Sequence, residues 1–596
     1  MSLTRVADHL GDASDGSNTW LEETGSYFQY APLEDHEIRL LELEPGLPED
    51  PIRCRLIHKE RCESYQYEVL SFDWRRSTRT RVPISLNGQT FDTPHEIWTT
   101  LHGIRLETRS RFLWTDSICI NQRFDSKTQH ACSRERNGQL SYLPTIYRKA
   151  SRLLIWLGRA DDNSHLVFEH LDKCRARSYL NWLHYAGETK DAFHKLLRRP
   201  WFHRALSAQE VSLCSKATIV CGRHQCDLSE LMKCSSFPST DDYYHPIEGP
   251  SSVTHLRHLV QIYLATCIRV RDLFCWYRHC RSEDPRDKIF GALMMNTEIP
   301  FGIPIDYTQD VPRLFQMFTQ RYIESMQDLE VLHWLGTSKR IDGLPSWVPD
   351  YSIINPAGTL PRAIGMSAIY SIHYPLRLLP GFGFRSGNIL ALRGWHVEKV
   401  MQTAERLEAR DTALLGSEKF TSIISGWEKL ASSLTKKRFP ESIIAAFSST
   451  LIGDDDADLL VEHDTPPLVR VKRAPSSYNA TEFSKWYECI KECQISKTGA
   501  KRSKLWDDAS KRYSRAMEQT CYGRKFFITD KGSMGLAPPL TREGDDIVFF
   551  PGGKYPFILR ARDNGTYELV GDCFLYDLDV FPLLEDRTIS TEFLLS

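Results

Sequence analysis

The stretch Tyr67-Glu-Val-Leu-Ser-Phe-Asp-Trp74 predicts a buried β-strand, because it is short, rich in β-formers and followed by a basic turn. Two more apolar runs follow, at residues 112–120 and 152–158, the second stopped by a glycine. Helix-like stretches separate them, one after Asp92-Thr93-Pro94 and one over residues 138–150. Apolar strands that alternate with helices predict an α/β unit built on a parallel sheet.

Further elements extend this unit in both directions. Residues 37–43 predict another strand, and residues 83–91 predict a hairpin around Asn87-Gly88, a favoured turn pair. Downstream we expect a helix at 165–174, a helix from Pro200 through Ala217 and a strand at 218–221. Residues 226–330 predict helices, including a long amphipathic run at 253–276, and residues 405–520 predict a charged, mainly helical stretch. From residue 526 short strands predict a small antiparallel barrel or sandwich.

These patterns divide the chain into five segments. We expect a disordered N-terminus at 1–25, the α/β domain at 26–225, a helical region packed on it at 226–380, a mainly helical charged region at 381–525, and a β-rich module at 526–596.

Composition excludes several classes of protein. The 596 residues include 75 Lys and Arg and 77 Asp and Glu, which gives a formal net charge of −2. A charge so close to zero argues against a chain built to bind nucleic acid. Hydrophobic residues reach 41%, so wholesale disorder is excluded. The chain has no long apolar run, which predicts a cytoplasmic protein without a membrane span. The sequence contains no P-loop motif, so it gives no support for ATP hydrolysis.

Cysteine spacing argues against a metal site. The 16 cysteines include no CxxC pair. The nearest cluster matches no common zinc spacing, so we expect no bound metal; its members are Cys214, Cys221, His224, Cys226 and Cys234.

Several blocks together resemble the fungal heterokaryon incompatibility (HET) domain proteins. They are 67–74, 113–122, 146–150 with 155–158, 199–204 with Gln209-Glu210, 284–293 and 344–350. The likeness covers most of the chain, and the order of the blocks is more specific than any one of them. Arg75 and Leu206 depart from the family pattern, where Gly and Trp are usual.

The resemblance implies a fold and a chemistry for the α/β domain. The fold would be flavodoxin-like and similar to the TIR (Toll/interleukin-1 receptor) domain, some members of which cleave NAD with a helix-borne glutamate. The matching position is Glu210. One carboxylate suffices for this reaction, because nicotinamide leaves without protonation and an anion stabilises the oxocarbenium-like transition state. Alternatively, Glu210 lies on a helix surface and has no chemical role.

Other candidate residues lie near the predicted strand ends, where open α/β sheets bind ligands. Asp116, inside an apolar strand, would need a partner such as Arg204 if it were buried. Cys119 lacks a basic neighbour, so we do not expect a nucleophilic thiolate. The set of pocket candidates is Ser71, Asp73, Trp74, Asp116, Asn121, Gln122 and Arg204.

A further set of matched residues is interpreted as structural. Asp284 and Pro285 would cap and open a helix, where Arg286 and Asp287 would form ion pairs that hold it against the α/β unit. The set is Trp114, Cys119, Trp156, Gly158, Pro200, Trp201, Arg286 and Asp287.

The resemblance predicts an effector of non-self recognition and programmed cell death, of the immunity type. Three versions remain open. The first is a NAD nucleosidase acting through Glu210, with NAD as substrate and no cofactor. The second signals by self-association or by binding protein partners. The third is a divergent member without death activity. The departures at Arg75 and Leu206 favour the second and third versions over the first.

Overall fold

The computed structural model divides the chain into two compact units. The first comprises residues 1–161 and 214–227, and the second comprises residues 162–213 and 228–596. The residues described are 28–61, 64–73, 80–121, 129–176, 187–233, 256, 259, 262–263, 273, 277, 280–295, 301–335, 341–353, 378, 382–385, 388–408, 417–434, 439, 442–453, 476–496, 508–576, 578 and 590–596.

In the first unit the described residues form strands β1–β9 and helices α1–α4. The strands are Glu37–Leu43 (β1), Arg53–Glu60 (β2), Glu68–Ser71 (β3), Arg81–Leu86 (β4), Gln89–Pro94 (β5), Arg111–Trp114 (β6), Arg152–Trp156 (β7), Ala217–Cys221 (β8) and His224–Asp227 (β9). The helices are His95–Ile104 (α1), Asp116–Cys119 (α2), Gln129–Ser141 (α3) and Leu143–Lys149 (α4).

The described strands of this unit form one mixed sheet in the order β5-β4-β2-β1-β6-β3-β7-β8-β9. The central run β6-β3-β7-β8 is parallel. In chain order these four strands lie as 2-1-3-4, the order of flavodoxin-like doubly wound sheets. The predicted α/β fold with a parallel sheet is therefore confirmed. Antiparallel strands extend the sheet on both sides, where β1 pairs with β6 and β9 with β8.

Burial on both faces explains why the central strands read as continuous apolar runs. Leu153, Leu154 and Ile155 of β7 are each 0–1% exposed. Helix α1 packs closely at Gly103, where a Cβ would lie 2.1 Å from the ring of Trp156. Only glycine permits that approach.

Several sequence-based boundaries hold and others shift. Strand 37–43 is confirmed, and the hairpin turns at Asn87-Gly88, where both φ angles are positive. The predicted strand at 67–74 is limited to β3, and β2 was not predicted because its outward-facing residues are charged.

Two predicted elements are corrected. The strand expected at 112–120 ends at Trp114, and the chain turns into α2, so Asp116 opens a helix instead of lying inside a strand. The helix expected from Pro200 to Ala217 is broken by extended backbone at Arg204, and Ala217 starts β8.

In the second unit the described residues form helices α5–α14 and strands β10–β18. The helices are Ser164–Ala176 (α5), Glu188–Leu197 (α6), Ala205–Leu213 (α7), Leu228–Lys233 (α8), Asp287–Leu293 (α9), Val311–Met326 (α10), Glu418–Ser432 (α11), Ile443–Leu451 (α12), Ser476–Ser496 (α13) and Asp508–Cys521 (α14), with 3-10 helices at Pro200–His203 and Glu330–Trp334. The strands are Gly383–Arg385 (β10), Ile389–Arg406 (β11), Lys525–Thr529 (β12), Met534–Ala537 (β13), Asp546–Phe549 (β14), Phe557–Ala561 (β15), Tyr567–Asp572 (β16), Phe574–Leu575 (β17) and Thr591–Leu595 (β18).

Strand β11 organises the C-terminal sheet. It pairs with both β14 and β18, so that β11-β14-β15-β16-β18 close into a five-stranded barrel among the described residues. Strands β12, β13 and β17 continue the sheet from the other end of β11. The predicted C-terminal β-rich barrel is confirmed, and its longest strand comes from the segment that the sequence indicated as mainly helical.

Helices α11–α14 pack on this sheet through one aromatic core. Trp427 is fully buried and stacks on Phe526 at 6.0 Å, while Trp486 contacts Phe420 edge-on at the same centroid distance. Within the described ranges, no helix is both long enough and apolar enough to cross a bilayer. The predicted amphipathic run at 253–276 lies almost entirely outside the described residues.

Candidate functional site

Glu210 lies on α7, and the backbone just before this helix is held in place by residue 281. Ala205 N–H donates to the Arg281 carbonyl at 2.9 Å, and Arg281 N–H donates to the His203 carbonyl at 2.7 Å. Ser207 Oγ donates to the Trp201 carbonyl at 2.6 Å. These bonds determine where α7 begins and which side chains it turns inward.

The carboxylate of Glu210 is buried, so the alternative that it lies on the helix surface is wrong. The residue is 4% exposed, and Arg204 Nη2 lies 3.6 Å from Oε1. A buried carboxylate is costly unless it is paired, so the guanidinium stabilises Glu210 where it lies. The sequence offers Asp116 as a candidate partner of Arg204, and that pairing stays a prediction.

Tyr277 lies beside the same helix. Burial raises the pKa of its hydroxyl well above the ordinary value, and Cys280 and the carboxylates of Asp287 and Glu210 raise it further. Gly291 of α9 lets the phenol approach, since a Cβ there would lie 2.8 Å from the hydroxyl oxygen. Helices α7 and α9 pack against each other, so these acidic groups share one buried region.

The start of α9 lies two residues later than predicted, with Arg286 at the N-cap position. Asp284 still binds the backbone there: its Oδ1 accepts the Arg286 N–H at 3.0 Å, and its carboxylate accepts two hydrogen bonds from the Arg286 guanidinium at 2.8 Å each. Asp287 accepts 2.6 Å and 3.3 Å hydrogen bonds from the hydroxyls of Tyr307 and Ser282. The hydrogen bond with Asp284 raises the pKa of Arg286, whereas burial of the guanidinium acts to lower it. Both residues therefore anchor α9 within the second unit.

The strand-end candidates belong to the first unit. Ser71 is buried at the end of β3, and Asp73 is half-buried two residues later. Asn121 follows α2, and its N–H donates to Glu135 Oε1 at 3.2 Å. Trp74 and Gln122 lie outside the described residues.

A buried ion pair that sequence reasoning missed holds the turn after β6. Arg39 is 0% exposed and donates to Glu135 Oε1 at 2.6 Å and Oε2 at 3.0 Å. It also donates to the carbonyls of Cys119 at 3.1 Å and Ala31 at 2.8 Å. The available signal was an arginine inside the otherwise apolar run Ile38–Leu41. Charges buried at that depth require a partner elsewhere in the chain.

The other matched residues have packing roles. Burial raises the pKa of the Cys119 thiol to about 12, which agrees with the expectation that it is not a thiolate nucleophile. Trp114 is 1% exposed and contacts Tyr147 edge-on. Gly158 lies two residues after β7 and has a φ of 103°, and Pro200 opens the 3-10 helix that buries Trp201.

The cysteine cluster is dispersed on the described framework. Cys221 and His224 face each other across the β8–β9 hairpin, where Ile219 pairs with Cys226. The Cys214 thiol donates to the Tyr147 carbonyl at 3.5 Å, and Cys234 lies outside the described residues. Among described residues, no group of three or more His, Cys, Asp or Glu side chains is arranged to hold a metal ion.

The predicted residues thus fall into two groups. Glu210, Arg204, Arg286 and Asp287 belong to the second unit, whereas Ser71, Asp73, Asp116 and Asn121 belong to the first. Chemically, the first-named group supplies a buried carboxylate compensated by a guanidinium.

Two family models match separate parts of the chain. The family model described as heterokaryon incompatibility protein matches residues 67–210, and that of the Het-6 beta-barrel domain matches residues 471–579. The chain is 23% identical to a Neurospora crassa protein named heterokaryon incompatibility protein 6, OR allele, in an alignment covering 90% of this chain and 93% of the relative. No solved structure matches significantly.

Proposed function

The chain belongs to the fungal heterokaryon incompatibility proteins, and from that premise we propose that it is an effector of non-self recognition that triggers programmed cell death. One observation carries the proposal: a single alignment with a protein named for incompatibility covers 90% of the chain. The proposal places the protein in the cytoplasm, where the contents of fused hyphae mix.

We further propose that the effector acts by protein contact, through self-association or a protein partner. The burial of Glu210 supports this version. With 4% of its surface exposed and Arg204 at 3.6 Å, the carboxylate would have to lose its counter-ion before a ribose reached it. A structural role in holding α7 is enough to explain why this ion pair is present, so no catalytic role is needed to explain it.

NAD hydrolysis through Glu210 is the second candidate. The observation in its favour is the buried region that Glu210 shares with Tyr277 and Asp287. A carboxylate in such surroundings stabilises a developing oxocarbenium ion more strongly than one in water. In this version Arg204 moves aside on activation, NAD is the substrate, and no cofactor is required.

Expression in fungal cells separates the two versions. Wild type, Glu210→Gln and the control Glu188→Gln, which changes an exposed glutamate on α6, would be compared for viability and cellular NAD. Contact signalling predicts death without NAD loss. Hydrolysis predicts NAD loss that Glu210→Gln abolishes in a folded protein and Glu188→Gln does not. Survival with wild type in every fungal background would refute the effector role itself.

A further inference from the structure

The four parallel strands of the first unit begin at one edge of the sheet, opposite to the strand end that carries Ser71. Residues 64–68 lead into β3, 107–111 into β6, 148–152 into β7 and 214–217 into β8. Neighbouring strands lie about 4.8 Å apart, so these four segments, here called the basic edge, meet within about 15 Å. They contain six Lys or Arg and two Glu, which leaves a charge of +4 on a chain whose net charge is −2.

Two arginines of the basic edge share one carboxylate. Arg152 Nε lies 2.5 Å from Glu68 Oε1, and Arg111 Nε lies 2.8 Å from Glu68 Oε2. One negative charge does not neutralise two guanidiniums, so positive charge remains between these strands. Burial lowers the pKa of Arg111, and although Glu68 acts to raise it, the charges of Arg152 and Arg109 lower it further. An anion from outside the chain would relieve this repulsion.

Further cations of the basic edge reach the surface. The exposed ones are Arg109, Arg148, Lys149 and Lys216. Lys216 lies beside Arg152, because the Leu153 N–H donates to the Lys216 carbonyl at 2.8 Å. The Lys149 ammonium donates to the Arg61 carbonyl at 2.5 Å and keeps its charge there. These cations therefore form one continuous positive surface across the starts of the strands.

An exposed aromatic ring lies next to the basic edge. Phe112 follows Arg111 in β6 and is 40% exposed, whereas Leu113 and Trp114 after it are buried. Aromatic side chains and arginines are enriched where proteins bind each other. The combination of positive charge with an exposed ring fits a partner that carries both carboxylates and apolar side chains.

We propose that the basic edge is a docking surface for an acidic protein segment that also carries apolar side chains. Carboxylates of the segment pair with Arg109 and Lys216, and an apolar side chain packs on Phe112. The planar fork of a guanidinium matches a carboxylate, which suits a protein partner. The net charge of −2 over the whole chain disfavours a nucleic acid or an anionic membrane. This inference rests on the proposed contact function, for which it supplies the surface.

Peptide binding to the purified full-length protein tests the docking. The probe is a fluorescein-labelled synthetic peptide, Asp-Asp-Glu-Leu-Leu-Val-Glu-Asp-Asp, followed by fluorescence anisotropy. We expect saturable binding that weakens as salt rises from about 50 to about 300 mM, because salt screens exposed charges. A control peptide with Ser in place of the apolar residues should bind about fivefold less tightly, because it leaves Phe112 uncovered. No saturable binding, or equal binding of the two peptides, would overturn the proposal.

Two double variants with the same loss of charge locate the surface. Arg109→Gln with Lys216→Gln removes two exposed cations of the basic edge and should weaken peptide binding about fivefold. The control, Arg159→Gln with Arg223→Gln, removes two exposed cations that follow β7 and β8 at the opposite edge, and should keep the wild-type affinity. An equal loss in both would show a general effect of net charge, and the docking surface would be refuted.

Other anions separate the classes of partner. A single-stranded oligonucleotide and vesicles containing phosphatidylserine would be titrated in the same buffer. If either binds at least as tightly as the peptide, the basic edge is not a protein-docking surface and the proposal fails. A chain that binds the peptide as expected but does not kill fungal cells would instead fail the effector proposal, so the two failures are distinguishable.

Discussion

Removing either member of the Arg204–Glu210 pair is expected to destabilise α7. Coulomb's law at 3.6 Å with an effective dielectric constant of about 20 gives about 4–5 kcal/mol of attraction. Arg204 is 17% exposed, so water compensates part of this energy, and we expect about 2–3 kcal/mol of coupling between the two residues. Because the second unit is large, Glu210→Gln should lower its melting temperature by only about 2–4 °C.

A double-mutant cycle measures this coupling directly. Thermal unfolding would be followed for Glu210→Gln, Arg204→Met and the double variant, with hydrogen exchange of α7 assigning the transition to its unit. If the pair is structural, the double variant is less destabilised than the sum of the single changes. A coupling below about 0.5 kcal/mol would refute the reasoning, since independent sites are additive to that level.

The same cycle bears on mechanism. A catalytic Glu210 would give a variant with unchanged stability, no nicotinamide release and no killing. A structural Glu210 would give reduced stability and a loss of killing that Arg204→Met shares. The second pattern is expected, because both residues hold one helix.

Three further outcomes are expected. Arg39→Met should destabilise the first unit by about 3–5 kcal/mol, because it leaves the Glu135 carboxylate without its counter-ion. A loss of less than about 1 kcal/mol, measured by urea unfolding, would contradict the interpretation as a buried ion pair. Cys119 should resist maleimide labelling at pH 8 in the native protein, because a thiol pKa of about 12 leaves little thiolate. Labelling would be followed by mass spectrometry, and rapid modification would show that this account is wrong. Gly291→Ala should lower the free energy of unfolding by about 1–3 kcal/mol, because the added Cβ contacts the Tyr277 hydroxyl. The control Gly426→Ala has open space around the new Cβ and should not lower it. Equal melting temperatures for the two variants would exclude the steric effect.

Local sequence signals were sufficient for much of the fold. The Asn87-Gly88 turn, the run 152–158 and the β-rich C-terminal stretch each carry a short-range cause: positive φ angles, burial on both faces, and regularly spaced turns. Where prediction failed, the cause was a contact distant in sequence. Residues 112–120 look like one strand, yet the turn at 118–121 is held by Arg39 and Glu135 from other elements.

The candidate site divides in the same way. A family-like block identified Glu210 and Arg204 as residues of interest but could not show whether the glutamate lies on a surface or in the interior. That depended on residue 281, which aligns the start of α7, and on the packing of α9. The basic edge had no local signal, because its four segments lie far apart in the sequence and meet only at one edge of the sheet.

The amino-acid sequence alone was sufficient to predict the fold class and the family, since periodicity, turn chemistry and motif order are local properties of the chain. Tertiary structure alone decided which charges are buried and with whom they pair. The pairing of Glu210 with Arg204 and of Arg39 with Glu135 depends on desolvation, and desolvation exists only once distant segments have packed around the charge.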